Sequence, residues 1–250
     1  MALGGSADAG AYLMPPGEGQ VIAEAGFSGS TRALDAQGRV IPVPSYRKFE
    51  LGTYVEYGVT DWLTLVGAPS YDHIRAGVPG SSYDGLGESE IGARAGLYRS
   101  ESNVVSVQAS FISPGAPFAQ GTELIRARRA AAADLRLMAA QNFEIASLPF
   151  FFEGGAGHRF YRGDQPGEWC LDLTLGARPS PNLLFMLQSF SSIFDAASTL
   201  WPRQSWHKMQ LSAVYDLSAQ WSVEIGGFRT IAGTNTGREF GPVGGIWYRF

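Results

Sequence analysis

Lys48-Phe49-Glu50-Leu51-Gly52-Thr53-Tyr54-Val55-Glu56-Tyr57-Gly58-Val59 alternates without a break. Phe49, Leu51, Thr53, Val55, Tyr57 and Val59 fall on one side of an extended chain; Lys48, Glu50, Gly52, Tyr54, Glu56 and Gly58 fall on the other. A period of two is the signature of a β-strand with two unlike faces. Here one face is apolar and the other charged. The pattern recurs. In 88–97, Ile91, Ala93, Ala95 and Leu97 oppose Glu88, Glu90, Gly92, Arg94 and Gly96. In 169–177, Trp169, Leu171, Leu173, Leu175 and Ala177 oppose Cys170, Asp172, Thr174 and Gly176. In 207–215, Met209, Leu211, Ala213 and Tyr215 oppose Lys208, Gln210 and Ser212, until Val214 breaks the alternation.

Extended outward, this reading predicts strands at 20–31, 45–59, 62–75, 86–99, 104–114, 126–142, 149–162, 168–178, 183–195, 204–217, 221–233 and 238–250. The connections 60–61, 100–103, 178–182 and 217–220 are short. Those at 32–44, 76–85, 115–125 and 196–203 are longer and rich in Gly, Pro, Ser or charge, whereas 163–167 and 234–237 break the rule. Alternating short turns and long loops are the mark of an outer-membrane barrel. The expected fold is all-β: a transmembrane, antiparallel, up-and-down barrel of about 12 strands over 20–250. An even strand count puts both termini on the short-turn side. Residues 1–19, rich in Gly, Ala and Pro, are expected to stay outside the strands and plug the lumen from the periplasmic side, or else to fray.

Composition agrees. The chain has 250 residues, 45 % hydrophobic, 12 % aromatic and 17 % charged, with 32 glycines. Soluble domains carry roughly 25 % charge. Mean hydropathy is near zero, and no apolar run approaches the ~18 residues of a membrane helix. A barrel tolerates that, because only every second residue meets lipid. The net charge of −4 argues against nucleic acid, whose binding rests on basic patches. Cys170 is the single cysteine, which excludes an internal disulfide. The opening Met1-Ala2-Leu3-Gly4-Gly5-Ser6 lacks a basic, apolar signal segment and reads as Met1 placed before a mature, already cleaved sequence.

The six tryptophans fall near expected strand ends or in a loop: Trp62 and Trp221 after short turns, Trp169, Trp201 and Trp206 towards the long loops, Trp247 near the C-terminus. Interfacial girdles predict that placement. The chain ends Ile246-Trp247-Tyr248-Arg249-Phe250, with Ile246, Tyr248 and Phe250 on one face. This resembles the C-terminal signature of bacterial outer-membrane proteins, which implies the barrel-assembly machinery as a partner through Phe250. Outer-membrane lipid and lipopolysaccharide are the other expected partners.

Three passages carry a closer resemblance. Gly10-Ala11-Tyr12-Leu13-Met14-Pro15-Pro16-Gly17-Glu18-Gly19-Gln20-Val21-Ile22 leads into the first strand, Tyr54-Val55-Glu56-Tyr57-Gly58-Val59-Thr60-Asp61-Trp62-Leu63-Thr64-Leu65 forms a hairpin, and Tyr215-Asp216-Leu217-Ser218-Ala219-Gln220-Trp221-Ser222-Val223 repeats the turn-then-Trp form. Together they resemble the outer-membrane transporters of the meta-cleavage and phenol-degradation pathways. The resemblance implies an outer-membrane channel for passive passage of small solutes, small aromatic or hydrophobic compounds among them.

The polar face supplies the candidate site. A twelve-stranded wall has a backbone radius of roughly 12 Å, so side chains leave a lumen a few ångströms wide. Lys48, Glu50, Glu56, Glu88, Glu90, Arg94, Arg126, Arg128, Asp134, Arg136, Glu153, Arg159, Asp172, Lys208, Gln210 and Glu224 are expected to line it, either along a wet path or pairing to fill it. Phe118, Tyr71, Tyr83, Phe160 and Tyr161 are expected to give an apolar mouth, and 113–122 to cap or constrict it. A different chemistry, lipid-ester hydrolysis, follows if 183–195 and 204–217 form a hairpin in which facing residues sum to about 400. Ser191, Asp195 and His207 would then gather as nucleophile, acid and base on the lipid-facing side. The His-x-Ser and Asn pattern of outer-membrane phospholipase A is missing. A third alternative is a closed barrel with a structural or binding role. His73 and His158 have no acid or cysteine partner at metal spacing, and no phosphate loop or dinucleotide fingerprint is present, so neither metal nor cofactor is expected.

Overall fold

The computed structural model describes residues 10–77, 82–115, 130–195 and 201–250. Its strands are β1 (Gly19–Leu34), β2 (Val40–Thr60), β3 (Leu63–Ala68), β4 (Ser70–Ala76), β5 (Ser82–Leu86), β6 (Ser89–Arg99), β7 (Asn103–Ser113), β8 (Ala132–Ile145), β9 (Leu148–Tyr161), β10 (Glu168–Ser180), β11 (Leu183–Phe194), β12 (Ser205–Asp216), β13 (Trp221–Thr234), β14 (Thr236–Gly237) and β15 (Phe240–Arg249). Three pairs of them share one stave of the wall. β3 and β4 both pair with β2, split at Pro69, which has no N–H to give the ladder. β5 and β6 are split at 87–88, and β14 and β15 both pair with β1. The described strands thus make twelve staves, all antiparallel, and β1 closes the ring by pairing with both β2 and β15.

The expected boundaries shift in three places. The second strand begins at Val40, extending its hairpin beyond the expected loop. The strand expected from 86 reaches back to Ser82. The strand expected over 126–142 is Ala132–Ile145, so residues 143–145 lengthen its hairpin with β9, and Arg126, Arg128 and Phe118 lie outside the described residues. The two-residue turn Ala146-Ser147 has both residues at positive φ (50° and 63°). That is the sense of a type I′ turn, whose twist matches that of the strands it joins.

Parity then sorts the side chains. Outward stand Leu51, Leu65, Ile91, Leu135, Leu211 and Ile225, the last 73 % exposed. Such a band would be untenable in water over so many contiguous strands and fits the hydrocarbon layer. Trp62, Trp221 and Tyr248 mark its short-turn edge, with Trp221 and Tyr248 rings 4.6 Å apart. Trp169, Phe160, Phe27 and Phe240 are exposed towards the other edge. Two tryptophans leave the expected girdle. Trp247 is fully buried inside the barrel, because Ile246 and Tyr248 take the outward parity on either side. Trp206 faces inward as well, its ring beneath the Lys208 ammonium. Inside the short-turn half, Ile22, Phe151, Leu184, Met186, Val214 and Trp247 pack into an apolar core against Tyr54.

Candidate functional site

Above that core the lumen is polar, and its charges are knitted into groups. Arg94 is 1 % exposed, and all five guanidinium N–H directions are used. Nη1 donates to Glu56 Oε1 (2.6 Å) and to the Tyr12 carbonyl (2.8 Å). Nη2 donates to the Tyr54 hydroxyl (2.7 Å) and Gln108 Oε1 (3.0 Å), and Nε to the same Gln108 oxygen (3.1 Å). Gln108 passes the chain on to Glu90 through Nε2 (2.8 Å). A buried guanidinium is tolerable only when so fully partnered.

A second group joins β8, β9 and β10. Arg136 donates to Asp134 (2.8 Å) and bonds Asp172. Arg159 donates Nε to Asp134 Oδ2 (2.8 Å) and Nη1 to Glu88 Oε1 (2.8 Å). Glu168 takes the hydroxyls of Tyr161 (2.6 Å) and Ser192. On β2 and β4, Lys48 pairs with Glu50 (2.6 Å) and Asp72 (3.2 Å). Lys208 pairs with Glu239 (3.3 Å), its ammonium 5.3 and 5.4 Å from the Trp206 and Phe228 rings. Gln210 donates to Gln188 (3.3 Å) and Ser212 (3.2 Å). Glu224 accepts from Trp247 Nε1 (3.0 Å) at the edge of the apolar core, and Glu153 is buried nearer the short turns. Tyr54, Asp72, Gln108 and Glu168 were not singled out from sequence. Their strand parity was the available signal.

Residues 10–18 run inside the barrel at its short-turn end. The Ala11 carbonyl accepts from Ser106 (2.9 Å), the Tyr12 hydroxyl donates to Asn142 (2.7 Å), and the Met14 N–H donates to Thr64 (2.9 Å). Pro16 bridges to Gly58, where a Cβ would stand 2.1 Å from the Pro15 carbonyl oxygen. Only glycine permits that approach. On the loop side of this segment lie two adjoining cavities of about 310 and 400 Å³ that share Glu50, Tyr54, Glu88 and Phe190 as walls.

The expected aromatic mouth is rearranged. Tyr71 and Phe160 point outward to the membrane edge; Tyr161 and Tyr83 turn inward. The rings actually lining the cavities are Tyr54, Phe190, Trp206 and Phe228.

The alternative constellation on the outer wall is split. Ser191 pairs directly with His207 in the β11–β12 ladder, in keeping with the expected sum of about 400, and Ser191 Oγ and His207 Nδ1 share a hydrogen bond of 2.5 Å. Asp195 instead meets His158 Nε2 at 2.6 Å, with Trp169 and Phe160 packed on that imidazole. Among the described residues no carboxylate contacts His207. His73, like His158, meets one carboxylate, its Nδ1 lying 3.2 Å from Asp84. Each pairing joins residues distant in sequence, which local spacing cannot reveal. No group of three metal-ligating side chains is assembled among the described residues.

No family model matches the sequence, and no curated protein does. Solved structures do match in shape. The COG4313 outer membrane channel from Pseudomonas putida F1 superposes with a TM-score of 0.75 at 15% identity, covering 98% of this chain and 100% of that one. The translocator domain of autotransporter NalP from Neisseria meningitidis gives 0.57 at 11% identity, covering 95% and 90%, and the NanC porin 0.57 at 8%, covering 90% and 98%. At such identities the likeness concerns the fold, and the fold is that of the outer-membrane β-barrels.

Proposed function

We propose that this chain is an outer-membrane channel through which small solutes pass passively, with small aromatic or other hydrophobic compounds as its preferred class. The supporting observation is the pair of cavities in the loop-side half of the lumen, walled by charge and by the rings of Tyr54, Phe190, Trp206 and Phe228. A scaffold with no passage could fill its interior with neutral side chains. Retaining charge there is costly unless it is paired or wet, and here paired charges stand beside open space. The resemblance of residues 10–22, 54–65 and 215–223 to the meta-cleavage and phenol-degradation transporters supports the solute class. In this reading residues 10–18 are the plug that narrows the periplasmic neck.

The test is single-channel conductance in planar bilayers, with solute flux into liposomes. Replacing Arg126, Arg128 and Arg136 together by alanine is expected to raise conductance or shift it towards cations, since it removes fixed positive charge and long side chains. Silence of both wild type and variant in conductance and flux would leave a sealed barrel with a structural or binding role. Ester hydrolysis has one observation in its favour, the Ser191–His207 hydrogen bond. With Asp195 engaged by His158, a base without an orienting acid is a weak catalyst. Equal turnover of phospholipid by wild type and Ser191→Ala would remove that reading.

A further inference from the structure

On the outward face, one row of cross-strand neighbours runs over the seam where the barrel closes. Arg229 of β13 lies opposite Phe240 of β15, Phe240 opposite Gly29 of β1, Gly29 opposite Arg47 of β2, and Arg47 opposite Arg75 of β4. All three arginines are exposed. Like charges set directly opposite each other in a ladder are unfavourable, yet Arg47 and Arg75 are so placed. Among the described residues, Arg47 and Arg229 have no ion-pair or hydrogen-bond partner for their side chains. Arg75 donates only to the neighbouring Ile74 carbonyl (3.2 Å). On this flank the acid Asp84 is held by Tyr71 and His73.

The height of the row matters. One step nearer the membrane lie Phe27 and Phe49, paired with rings 4.8 Å apart, and beyond them Leu51 and Tyr71. The arginines therefore sit just above the loop-side aromatic belt, where lipid headgroups begin. On the opposite flank, the described loop-side outward face of β9 to β12 carries His158, Asp195, Ser191 and His207, with Arg162 exposed just beyond the end of β9. The cross-strand row of three arginines belongs to the flank of β13, β15, β1, β2 and β4.

Guanidinium groups recognise phosphate by parallel N–H donors. Arg229 and Arg47 are three strand steps apart, about 14 Å at ~4.8 Å per step. That spacing suits two phosphates at the ends of a disaccharide-sized headgroup better than a single one. Gly29, with no side chain, leaves its step of the row open, Phe240 adds an exposed ring within the row, and Phe27 and Phe49 offer apolar surface for acyl chains directly below. We propose that the outward face of β13, β15, β1, β2 and β4 is a binding site for a bis-phosphorylated glycolipid of the outer leaflet, the lipid A part of lipopolysaccharide, with Arg47, Arg75 and Arg229 as its phosphate ligands. The site is independent of what the lumen carries.

Native mass spectrometry of the purified full chain in detergent tests this, with bis-phosphorylated lipid A, its fully dephosphorylated form and inorganic phosphate as probes. Wild type should retain bis-phosphorylated lipid A, and the triple variant Arg47→Ala, Arg75→Ala, Arg229→Ala should bind it about tenfold or more weakly. Lysine at the three positions should give intermediate binding, because charge remains but the fork of donors does not. Should the triple variant fail to fold, the single variants Arg47→Gln and Arg229→Gln carry the test, each expected to weaken retention. Equal retention by wild type and variants overturns the proposal. So does equal retention of dephosphorylated lipid, which would make the contact purely apolar, and so does full displacement by millimolar inorganic phosphate, which would make the ligand a free anion.

Discussion

Arg94 ties two things that sequence places far apart: the barrel wall and the segment that threads it. Its bond to the Tyr12 carbonyl is one of five, and the others hold Glu56, Tyr54 and Gln108 in place to receive it. Substitution by methionine keeps the bulk and removes every donor. Glu56, 3 % exposed, would be left as a buried charge without its partner, at a cost of about 3–5 kcal/mol. The expected outcome is a lower unfolding midpoint, together with a severalfold rise in conductance as residues 10–18 loosen. Adding Glu56→Gln should restore much of the stability and leave the conductance high. A variant that unfolds more easily yet conducts like wild type would separate Arg94 from the neck. The pairing itself could not be read from the sequence. Arg94 falls on the polar face of its strand by parity alone, but which of many inward acids it meets depends on ladders between strands that are distant in the chain. The same applies to Asp195, which meets His158 rather than His207.

At the level of elements, the hairpin of β1 and β2 rises beyond the membrane and is pinned at its tip by Asp35. One carboxylate oxygen accepts from the backbone N–H groups of Gln37 and Arg39 (2.9 Å each), the other from Arg39 Nε (2.9 Å). The Arg39 backbone N–H, followed by its side chain, holds the Asp35 carboxyl below the usual aspartate range. A depressed carboxyl stabilises the fold above its unfolded value and loses that contribution as pH falls through the folded one. Protection of the Gln37 and Arg39 amides against hydrogen exchange should therefore be constant near neutrality and drop on acidification past the aspartate range. Asp35→Asn should remove the pH dependence. Protection that is flat in wild type down to that range and beyond would show the tip is held by the ladder alone. Strands of this kind were legible because alternation is local: Phe49 outward and Lys48 inward follow from the stretch itself. Residues 10–18 were legible as a non-strand that plugs the lumen or frays, but their contacts with Ser106, Thr64 and Asn142 have no period to betray them. Trp247 shows the converse failure, since composition suggested a girdle while the parity of Ile246 and Tyr248 required an inward ring.

For the whole molecule, the decisive quantity is the balance of charge along the inside. Carboxylates outnumber cations on the inward face of the described strands; Glu90 accepts from the neutral Gln108 amide and Glu224 from the Trp247 indole. A narrow, low-dielectric passage concentrates the field of such charges. Ions that cross should be mainly cations, measurable as a reversal potential of cation-selective sign under a potassium chloride gradient, and weaker at high salt as screening shortens. An anion-selective reversal potential would place the controlling charge outside the described strands. The apolar cluster beneath has another consequence. Ile22 on the first strand lies directly opposite Trp247 on the last, and Phe151, Leu184, Met186 and Val214 complete their surroundings. None of these side chains has an interior to enter until the chain's two ends have met. Bringing them together demands the largest loop closure the polypeptide can make, which is slow before it is rewarded. A partly built sheet would gain none of this burial while already holding carboxylates against lipid or leucines against water. Folding should therefore be cooperative to an unusual degree, with the seam between β1 and β15 as its commitment step.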